Sequence, residues 1–261
     1  MILKEFAAVN VTIWGIPGYF FCAGVSTVLA SCVFIVLATE KGYSPRVNLD
    51  LLGKSGVLAI FSARLFGGLS GIYREIGLGK TVSWESVLNT GIVFYGGLLG
   101  MLVSFCFLSR RRGQDDLVLD LFAVVIPLFH SVARVGCFLG GCCFGTRASG
   151  SFSIVYTCFD WDHIETASRI PIQLVEAAFN MCIFAYLLCL ACSPDWEHKG
   201  ILRQYLAIYS VGRFCLEFYR GDAVHGIVHG VSFSQMISVM IWVALILSSD
   251  GVQKGTSGGW S

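Results

Sequence analysis

The stretch HSVARVGCFLGGCCFGTR combines cationic side chains, thiols and glycines at the end of a long apolar run. Four of its residues recur at the helical spacing i, i+4, i+7 and i+11, namely His130, Arg134, Cys137 and Gly141. If the run is a helix, these residues share one face. An ionised Arg inside hydrocarbon costs about 3 kcal/mol on insertion scales. This face is therefore predicted to line a polar interior or the headgroup layer.

A second stretch, YSVGRFCLEFYRGD, also carries charges at helical spacing. Its residues at i, i+4, i+8 and i+11 are Tyr209, Arg213, Glu217 and Arg220. In the simplest interpretation an intramembrane Arg and Glu neutralise each other. However, one carboxylate faces two guanidinium groups, and Arg134 adds a third. This surplus predicts binding of an external anion, and phosphate suits the bidentate fork of Arg.

Two further places supply polar groups to apolar segments. Gln173 and Glu176 lie one helical turn apart just after Pro171. Glu176 either stabilises the start of the helix or lines the same cavity as the arginines, and both interpretations remain open. In SARLFGGLSG the glycines favour close helix packing, whereas Arg64 needs a polar partner and is included among the candidate substrate-binding residues.

The cysteines do not follow a recognised pattern for metal binding or disulfides. The chain has 11, an odd number. Cys137, Cys142 and Cys143 form a Cys-x4-Cys-Cys sequence with no second thiol pair, which is a poor zinc signature. We therefore predict no metal and no cofactor. The sequence also contains no nucleotide-binding loop and no nucleic-acid signature, so no nucleic-acid partner is expected.

Composition indicates which elements position these residues. Of 261 residues, 55% are hydrophobic and 13% are charged, and the apolar runs are continuous over about 20 residues. The predicted fold class is all-α, a polytopic membrane protein with seven transmembrane helices and a small outer-face loop region. The predicted spans are residues 14–37, 54–73, 88–108, 117–139, 173–192, 201–219 and 232–249, with a polar loop at 38–53.

The distribution of basic residues predicts the orientation of these spans. The run Arg110, Arg111, Arg112 follows the third span, and most other basic loops agree with it. By the positive-inside rule the amino terminus is outside and the carboxyl terminus is in the cytoplasm. The longest connection, residues 147–172, then lies outside; its SFSIVYT segment alternates like a strand, and a lid is plausible there.

The chain is predicted to form a single membrane-embedded domain over residues 1–261. The first segment lacks a basic leader and a small-residue cleavage site, which favours a retained helix. A Gly/Ser-rich tail is expected over residues 251–261.

These motifs together resemble one family, the prolipoprotein diacylglyceryl transferases. The resemblance covers most of the chain and rests on five segments in family order: SARLFGGL, FYGGLLG, HSVARVGCFLGGCCFG, RIPIQLVEAAFN and YSVGRFCLEFYR. It implies a seven-helix enzyme of the bacterial inner membrane that acts on membrane lipid. Separately, we expect the chain to be a monomer. The implied reaction moves a diacylglyceryl group from phosphatidylglycerol to the lipobox cysteine of a prolipoprotein signal peptide.

The resemblance also implies roles for particular residues. Arg134 is similar to the arginine that binds the phosphatidylglycerol headgroup, and Arg213 with Glu217 matches an essential Arg and acidic pair. Tyr209 and Gly145 match motif positions as well.

Three positions differ from the best-known members of this family. The family histidine, asparagine and glutamate are replaced here by Tyr95, Cys137 and Cys142. Because a phenol is a weak base near neutrality, we hypothesise that His130 is the general base. The alternative is that His130 is a structural hydrogen-bonding group.

Other functions remain possible from the sequence alone. One is a paralogue that transfers a lipid-derived group to another acceptor. A second is a membrane transporter or binding protein for an anion, with the arginines as a transit site. A protein that handles thiols or metals is the third.

Overall fold

The computed structural model describes residues 11–77, 79–84, 87, 93–160, 163–221, 227–228 and 231–256, and it is mostly helical. Its helices are α1 Gly18–Glu40, α2 Pro45–Gly77, α3 Phe94–Arg111, α4 Leu117–Leu139, α5 Ile172–Ala191, α6 Ile201–Glu217 and α7 Phe233–Thr256. Three antiparallel hairpins pair β1 Thr12–Ile13 with β2 Ile16–Pro17, β3 Ile154–Asp160 with β4 His163–Arg169, and β5 Ile227–Val228 with β6 Val231–Ser232.

Four of the described helices, α1, α2, α4 and α5, are long and apolar enough to cross a membrane. A shorter apolar stretch, Phe233–Ser248, lies in α7. The helix α6 has 17 residues and includes Arg213 and Glu217, which lower its apolar content. Large apolar side chains are exposed on the bundle surface, such as Phe61 at 72% and Leu247 at 66%. Such a surface fits lipid better than water, and the multi-pass membrane prediction is supported.

The predicted helix positions agree with the observed ones, with one correction. The helix α4 begins at residue 117 and ends at 139 as predicted. Residues 88–92 of the predicted third span, and 257–261 of the expected tail, lie outside the described residues. Residues 251–256 of that expected tail continue the helix α7. The predicted polar loop at 38–53 is wrong, because α2 already begins at Pro45.

The early start of α2 has a physical reason. Proline is favoured in the first turn of a helix, where its missing N–H is not needed. The polar residues that follow have partners: the side chain of Gln114 donates to Asn48 Oδ1 at 2.9 Å, and Asp50 pairs with Lys54 and Arg112. These polar turns therefore continue the helix instead of interrupting it.

The predicted strand in SFSIVYT is confirmed as part of β3. It pairs with β4 in a register that places Ile154 opposite Arg169. Backbone bridges join Arg147 to Arg169 and Gly145 to Arg220. The base of the hairpin is thereby tied to the end of α6, so the chain is mostly helical but carries a structured β-hairpin between α4 and α5.

The helix α4 is the centre of the bundle. Of the most apolar 18-residue stretch of this helix, 78% is buried, and the helix packs against α1, α5 and α6. Its Phe122 stacks on Phe105 of α3 with ring centroids 4.7 Å apart, and Phe34 of α1 meets both rings edge-on. This aromatic cluster fixes α4 within the bundle. The carboxyl-terminal half of α4 carries His130 and Arg134.

Close contact between α2 and α3 depends on glycine. A Cβ at Gly100 would overlap Ser62 Cβ and lie 2.7 Å from Ser62 Oγ and 3.4 Å from the carbonyl oxygen of Leu58. The same α3 face carries Gly96, where a Cβ would meet Phe66. These small residues let the two backbones approach, as in many membrane helix pairs.

We expect Gly100→Ala to lower the free energy of unfolding in detergent by about 1–3 kcal/mol, because the methyl group overpacks the α2–α3 contact. Gly56→Ala is the matched control, since a Cβ at this helical glycine meets no atom within 4 Å. It should be neutral or slightly stabilising through helix propensity. Chemical denaturation followed by circular dichroism measures both, and equal stability of the two variants would contradict the close-packing argument.

Candidate functional site

The buried centre of the candidate site is an ion pair between α4 and α5. Arg134 Nε lies 3.0 Å from Glu176 Oε2 and 3.1 Å from His130 Nε2, to which it donates. His130 Nε2 is also 3.5 Å from Glu176 Oε1. All three side chains are almost completely buried, so the charges interact in a medium of low polarity where the pairing is strong.

Two hydrogen bonds from side chains to backbone carbonyl groups hold this centre in place, one between α4 and α5 and one within α5. Ser131 Oγ donates to the carbonyl oxygen of Ala177 at 2.8 Å, across the helix pair. Asn180 Nδ2 donates to the carbonyl oxygen of Glu176 at 2.8 Å. The carboxylate of Glu176 faces Arg134, which favours the cavity-lining interpretation of this residue over the capping one.

Aromatic rings enclose the imidazole of His130. Phe94 of α3 stacks on it with centroids 3.7 Å apart, and Tyr209 of α6 meets it edge-on at 5.4 Å. Tyr209 in turn contacts the rings of Tyr95 and Tyr205. This apolar enclosure limits access of water to His130 and strengthens the electrostatic interactions inside it.

A second ion pair lies on α6 and reaches α7. Arg213 Nη2 is 2.6 Å from Glu217 Oε2, and Arg220 Nε is 3.8 Å from the same oxygen. Arg213 Nη2 also donates to Ser234 Oγ at 3.3 Å. The hydroxyl of Tyr95 bonds Ser238 Oγ at 2.7 Å, one helical turn further along α7.

The two ion pairs belong to one electrostatic centre. Glu176 forms its ion pair with Arg134, and the positive charges of Arg213 and Arg220 act on the same carboxylate at longer range. Among these described side chains, three arginines oppose two glutamates, so the cluster has one positive charge in excess when His130 is neutral. An anionic group fits such a centre, and phosphate has the geometry that guanidinium binds best.

The turn after α4 closes one side of this cluster. Gln173 Nε2 donates to the carbonyl oxygen of Cys142 at 2.8 Å, which fixes the turn against α5. Hydrogen bonds from the Cys137 and Cys142 thiols lower the pKa of the Cys143 thiol, and the nearby Arg220 and Arg134 act in the same direction.

Gly145 is required by the backbone packing of this region. A Cβ there would collide with the carbonyl oxygen of Ile170 and would lie 3.1 Å from that of Tyr219. The carbonyl oxygen of Gly145 accepts from Arg169 Nη1 at 3.2 Å. Gly145 thus joins the hairpin base, the start of α5 and the end of α6 next to the arginines.

The structure brings most of the predicted site residues together. Those joined by the contacts above are Tyr95, His130, Arg134, Gly145, Gln173, Glu176, Tyr209, Arg213, Glu217 and Arg220. Arg64 lies half-buried on α2 and is not joined to the cluster by any of these contacts.

The sequence interpretation missed several contributors. Phe94 stacks on His130, Asn180 anchors Glu176, and Ser234 and Ser238 bind Arg213 and Tyr95. The serines left a signal in the sequence, since they lie four residues apart at the start of an otherwise apolar span. Phe94 left none, because a Phe in an apolar helix is ordinary.

Comparison with known proteins gives the family. The profile of the prolipoprotein diacylglyceryl transferases matches residues 7–249. The chain belongs to this family. The sequence is 30% identical over 242 residues to the phosphatidylglycerol–prolipoprotein diacylglyceryl transferase 2 of Clostridium perfringens, covering 89% of each chain.

Other members of the prolipoprotein diacylglyceryl transferase family are similar at comparable levels. The enzyme of Clostridium tetani is 27% identical over 221 residues, covering 83% of this chain and 86% of its own. The enzyme of Streptococcus pneumoniae is 28% identical over 226 residues, covering 85% of this chain and 84% of its own. The family resemblance found in the motifs is therefore confirmed over most of the chain.

Breaking the central ion pair of this family member should destabilise it strongly. We expect Glu176→Gln to lower the free energy of unfolding by about 3 kcal/mol, because Arg134 is left buried without its counter-charge. Replacing both partners, as Arg134→Met with Glu176→Leu, should recover most of the loss. Denaturation in detergent measures all three proteins.

The exposed pair Asp195 and Lys199, 2.6 Å apart, serves as the control. Asp195→Asn removes an ion pair of the same type at the surface, where solvent screens it, and should have little effect. If Asp195→Asn and Glu176→Gln lower the free energy of unfolding by similar amounts, burial of the ion pair does not determine the size of the loss.

Proposed function

We propose that this chain transfers the diacylglyceryl group of phosphatidylglycerol to the lipobox cysteine thiol of prolipoproteins, the first step of lipoprotein maturation. The observation that carries the proposal is the excess of buried guanidinium at one end of an apolar helix bundle. Arg134 and Arg213 both contribute to it, and each is held by its own glutamate. The names of the relatives, which specify phosphatidylglycerol and prolipoprotein, agree with this chemistry.

The reaction requires one new bond and one broken bond. The thiol loses its proton, and the thiolate attacks the glyceryl carbon that carries the phosphate. A carbon–sulfur bond forms while the carbon–oxygen bond to phosphate breaks, and glycerol phosphate leaves with the electron pair. The products are a thioether on the prolipoprotein and a free phosphate monoester. These bond changes balance without a cofactor.

The arginines act on the leaving group. Arg134 and Arg213 bind the phosphate and stabilise the negative charge that grows on it, because they are already oriented by Glu176 and Glu217. Arg220 adds positive charge near the same carboxylate as Arg213. Such preorganised cations lower the barrier without rearrangement during the reaction.

Other residues shape the binding site. Tyr209 and Tyr95 form its aromatic wall, Gln173 fixes the turn after α4, and Gly145 lets three backbone segments meet next to the arginines. Arg64 is assigned to substrate binding from α2, for example at the entry of the lipid.

His130 is the proposed general base. Its Nε2 accepts a hydrogen bond from Arg134, so this lone pair takes the thiol proton once Arg134 Nε is released from it on substrate binding. Glu176 Oε1, 3.5 Å away, stabilises the resulting imidazolium. Of the two charged neighbours of His130, Glu176 favours the protonated imidazole and Arg134 opposes it, so the proposed proton transfer depends on the pairing with Glu176.

The proposed arrangement in the membrane follows the sequence prediction. All seven helices cross the cytoplasmic membrane of a bacterium, with the amino terminus outside and the carboxyl terminus in the cytoplasm. The helix ends that carry the site then face outward, together with the β3–β4 hairpin, which acts as a lid. The chain functions as a monomer with a single domain over residues 1–261.

Two alternative functions predict different results in the assays. A paralogue of the same fold transfers a lipid-derived group to another acceptor and leaves a lipobox peptide unmodified. An anion transporter gives counterflow of labelled anion in proteoliposomes without a lipidated product. The family membership of the chain favours the transferase over both.

We expect Arg213→Lys to reduce the transfer rate by about 100-fold, although the charge is kept, because Lys cannot bind phosphate bidentately. The measurement is incorporation of labelled diacylglyceryl from phosphatidylglycerol into a lipobox peptide in nanodiscs. Arg203→Lys, on the same helix and exposed, is the matched control and should retain normal activity. Full activity of Arg213→Lys would contradict bidentate binding of the phosphate by Arg213.

We expect His130→Gln to lose most of the transfer activity, since Gln keeps a hydrogen-bonding group but cannot accept a proton near neutral pH. The same nanodisc assay measures the rate, and detergent melting checks that the variant is folded. If a folded His130→Gln protein transfers diacylglyceryl at the normal rate, His130 is a structural residue and the base lies elsewhere.

A further inference from the structure

Cys137 and the adjacent pair Cys142 and Cys143 meet at the end of α4. The Sγ atoms of Cys137, Cys142 and Cys143 all lie within 4.8 Å of one another. Cys137 belongs to the last turns of α4, and the other two follow in the turn. Their proximity is a property of the fold, because the Cys-x4-Cys-Cys spacing alone does not bring three sulfur atoms to one point.

The turn is shaped so that these sulfur atoms converge. The N–H of Cys142 donates to the carbonyl oxygen of Cys137 at 3.1 Å, which folds the chain back over the helix end. Cys143 has φ of 57°, a left-handed conformation that is uncommon for residues other than glycine. Gln173 holds the same turn from α5. The arrangement is thus fixed from several sides.

The separation of the thiols suits a shared metal ion better than a disulfide. Three sulfur ligands around an ion at about 2.3 Å lie about 4 Å apart, so the thiols need to move by less than about 1 Å. A disulfide requires about 2.0 Å between two sulfur atoms and excludes the third thiol. The observed spacing is therefore close to that of a trithiolate site.

The surroundings select the kind of ion. Within the described part of the chain, the group of clustered metal-ligating side chains contains only these thiols, and no imidazole or carboxylate completes a tetrahedron. Arg134 Nη1 lies 3.8 Å from Cys137 Sγ, and its positive charge stabilises a thiolate complex of net negative charge. Three soft ligands with a cationic neighbour favour a soft ion with a low coordination number, such as Cu(I).

We propose that Cys137, Cys142 and Cys143 form a binding site for a soft monovalent metal ion of the Cu(I) class, held as a trithiolate beside Arg134. Binding replaces three S–H protons, which pass to solvent, with three metal–sulfur bonds, and neither the metal nor the sulfur changes oxidation state. The site adjoins that of the proposed transfer reaction and shares Arg134 with it, but the nucleophilic thiol of that reaction belongs to the prolipoprotein.

The test uses the full chain in nanodiscs, reduced and then freed of reductant without oxygen. Cu(I) is titrated against a chromogenic Cu(I) chelator, with no lipobox peptide present. We expect one tightly bound Cu(I) per chain, and X-ray absorption at the copper edge should show three sulfur neighbours at about 2.3 Å. Because the spectrum is recorded on the unaltered protein, it does not depend on any variant folding.

Variants then locate the site. Cys142→Ser and Cys143→Ser should each weaken Cu(I) binding by at least about 100-fold, since a lost ligand costs more than a lost outer-shell partner. Cys182→Ser is the matched control, because Cys182 is exposed on α5, away from the three thiols, and its loss should leave the affinity unchanged.

Several results would overturn the proposal. One is a copper spectrum with two sulfur neighbours or with oxygen ligands. Others are unchanged affinity in both Cys142→Ser and Cys143→Ser, or tighter binding of Zn(II) than of Cu(I). A disulfide among the three residues in protein purified without reductant would identify a redox pair in place of a metal site.

Discussion

The structure depends on a charge pair placed where charges are costly. Arg134 and Glu176 lie on different helices, and neither is stable alone in an apolar bundle. Their pairing fixes how α4 and α5 approach each other, and it determines the orientation of His130. The remaining polar contacts of the site are built outward from this pair. The helix-packing glycines and the aromatic cluster around Phe122 provide the rigid frame that holds it.

Alternating helix directions bring the functional groups to one end of the bundle. The carboxyl-terminal ends of α4 and α6 carry the arginines, and the amino-terminal parts of α3, α5 and α7 supply Tyr95, Glu176 and Ser234. Five helices therefore contribute to a site that no single helix could form. This placement gives a charged centre at the edge of the apolar region, where a lipid phosphate would lie if the helices span the membrane.

The turn at the end of α4 lies next to the arginines of the proposed transfer site and carries the three thiols of the proposed metal site. Cys137 and Cys142 depart from the better-known family pattern; Cys137 lies beside Arg134, and the carbonyl oxygen of Cys142 accepts from Gln173. At these positions thiols stand where the family resemblance implies Asn and Glu, and the proposed chemistry of the turn is soft-metal coordination. The arginines beside it are common to both uses.

The sequence alone determined most of the helix positions, because long apolar runs have one stable solution in a membrane, but it missed the polar first turns of α2. It also predicted which residues share a helix face, such as Arg213 with Glu217, since that spacing is local. Only the tertiary structure decided that Glu176 pairs with Arg134, that Phe94 covers His130 and that three thiols converge. Each of these contacts joins segments whose approach depends on packing of the whole bundle or on the path of a turn, which no local periodicity encodes.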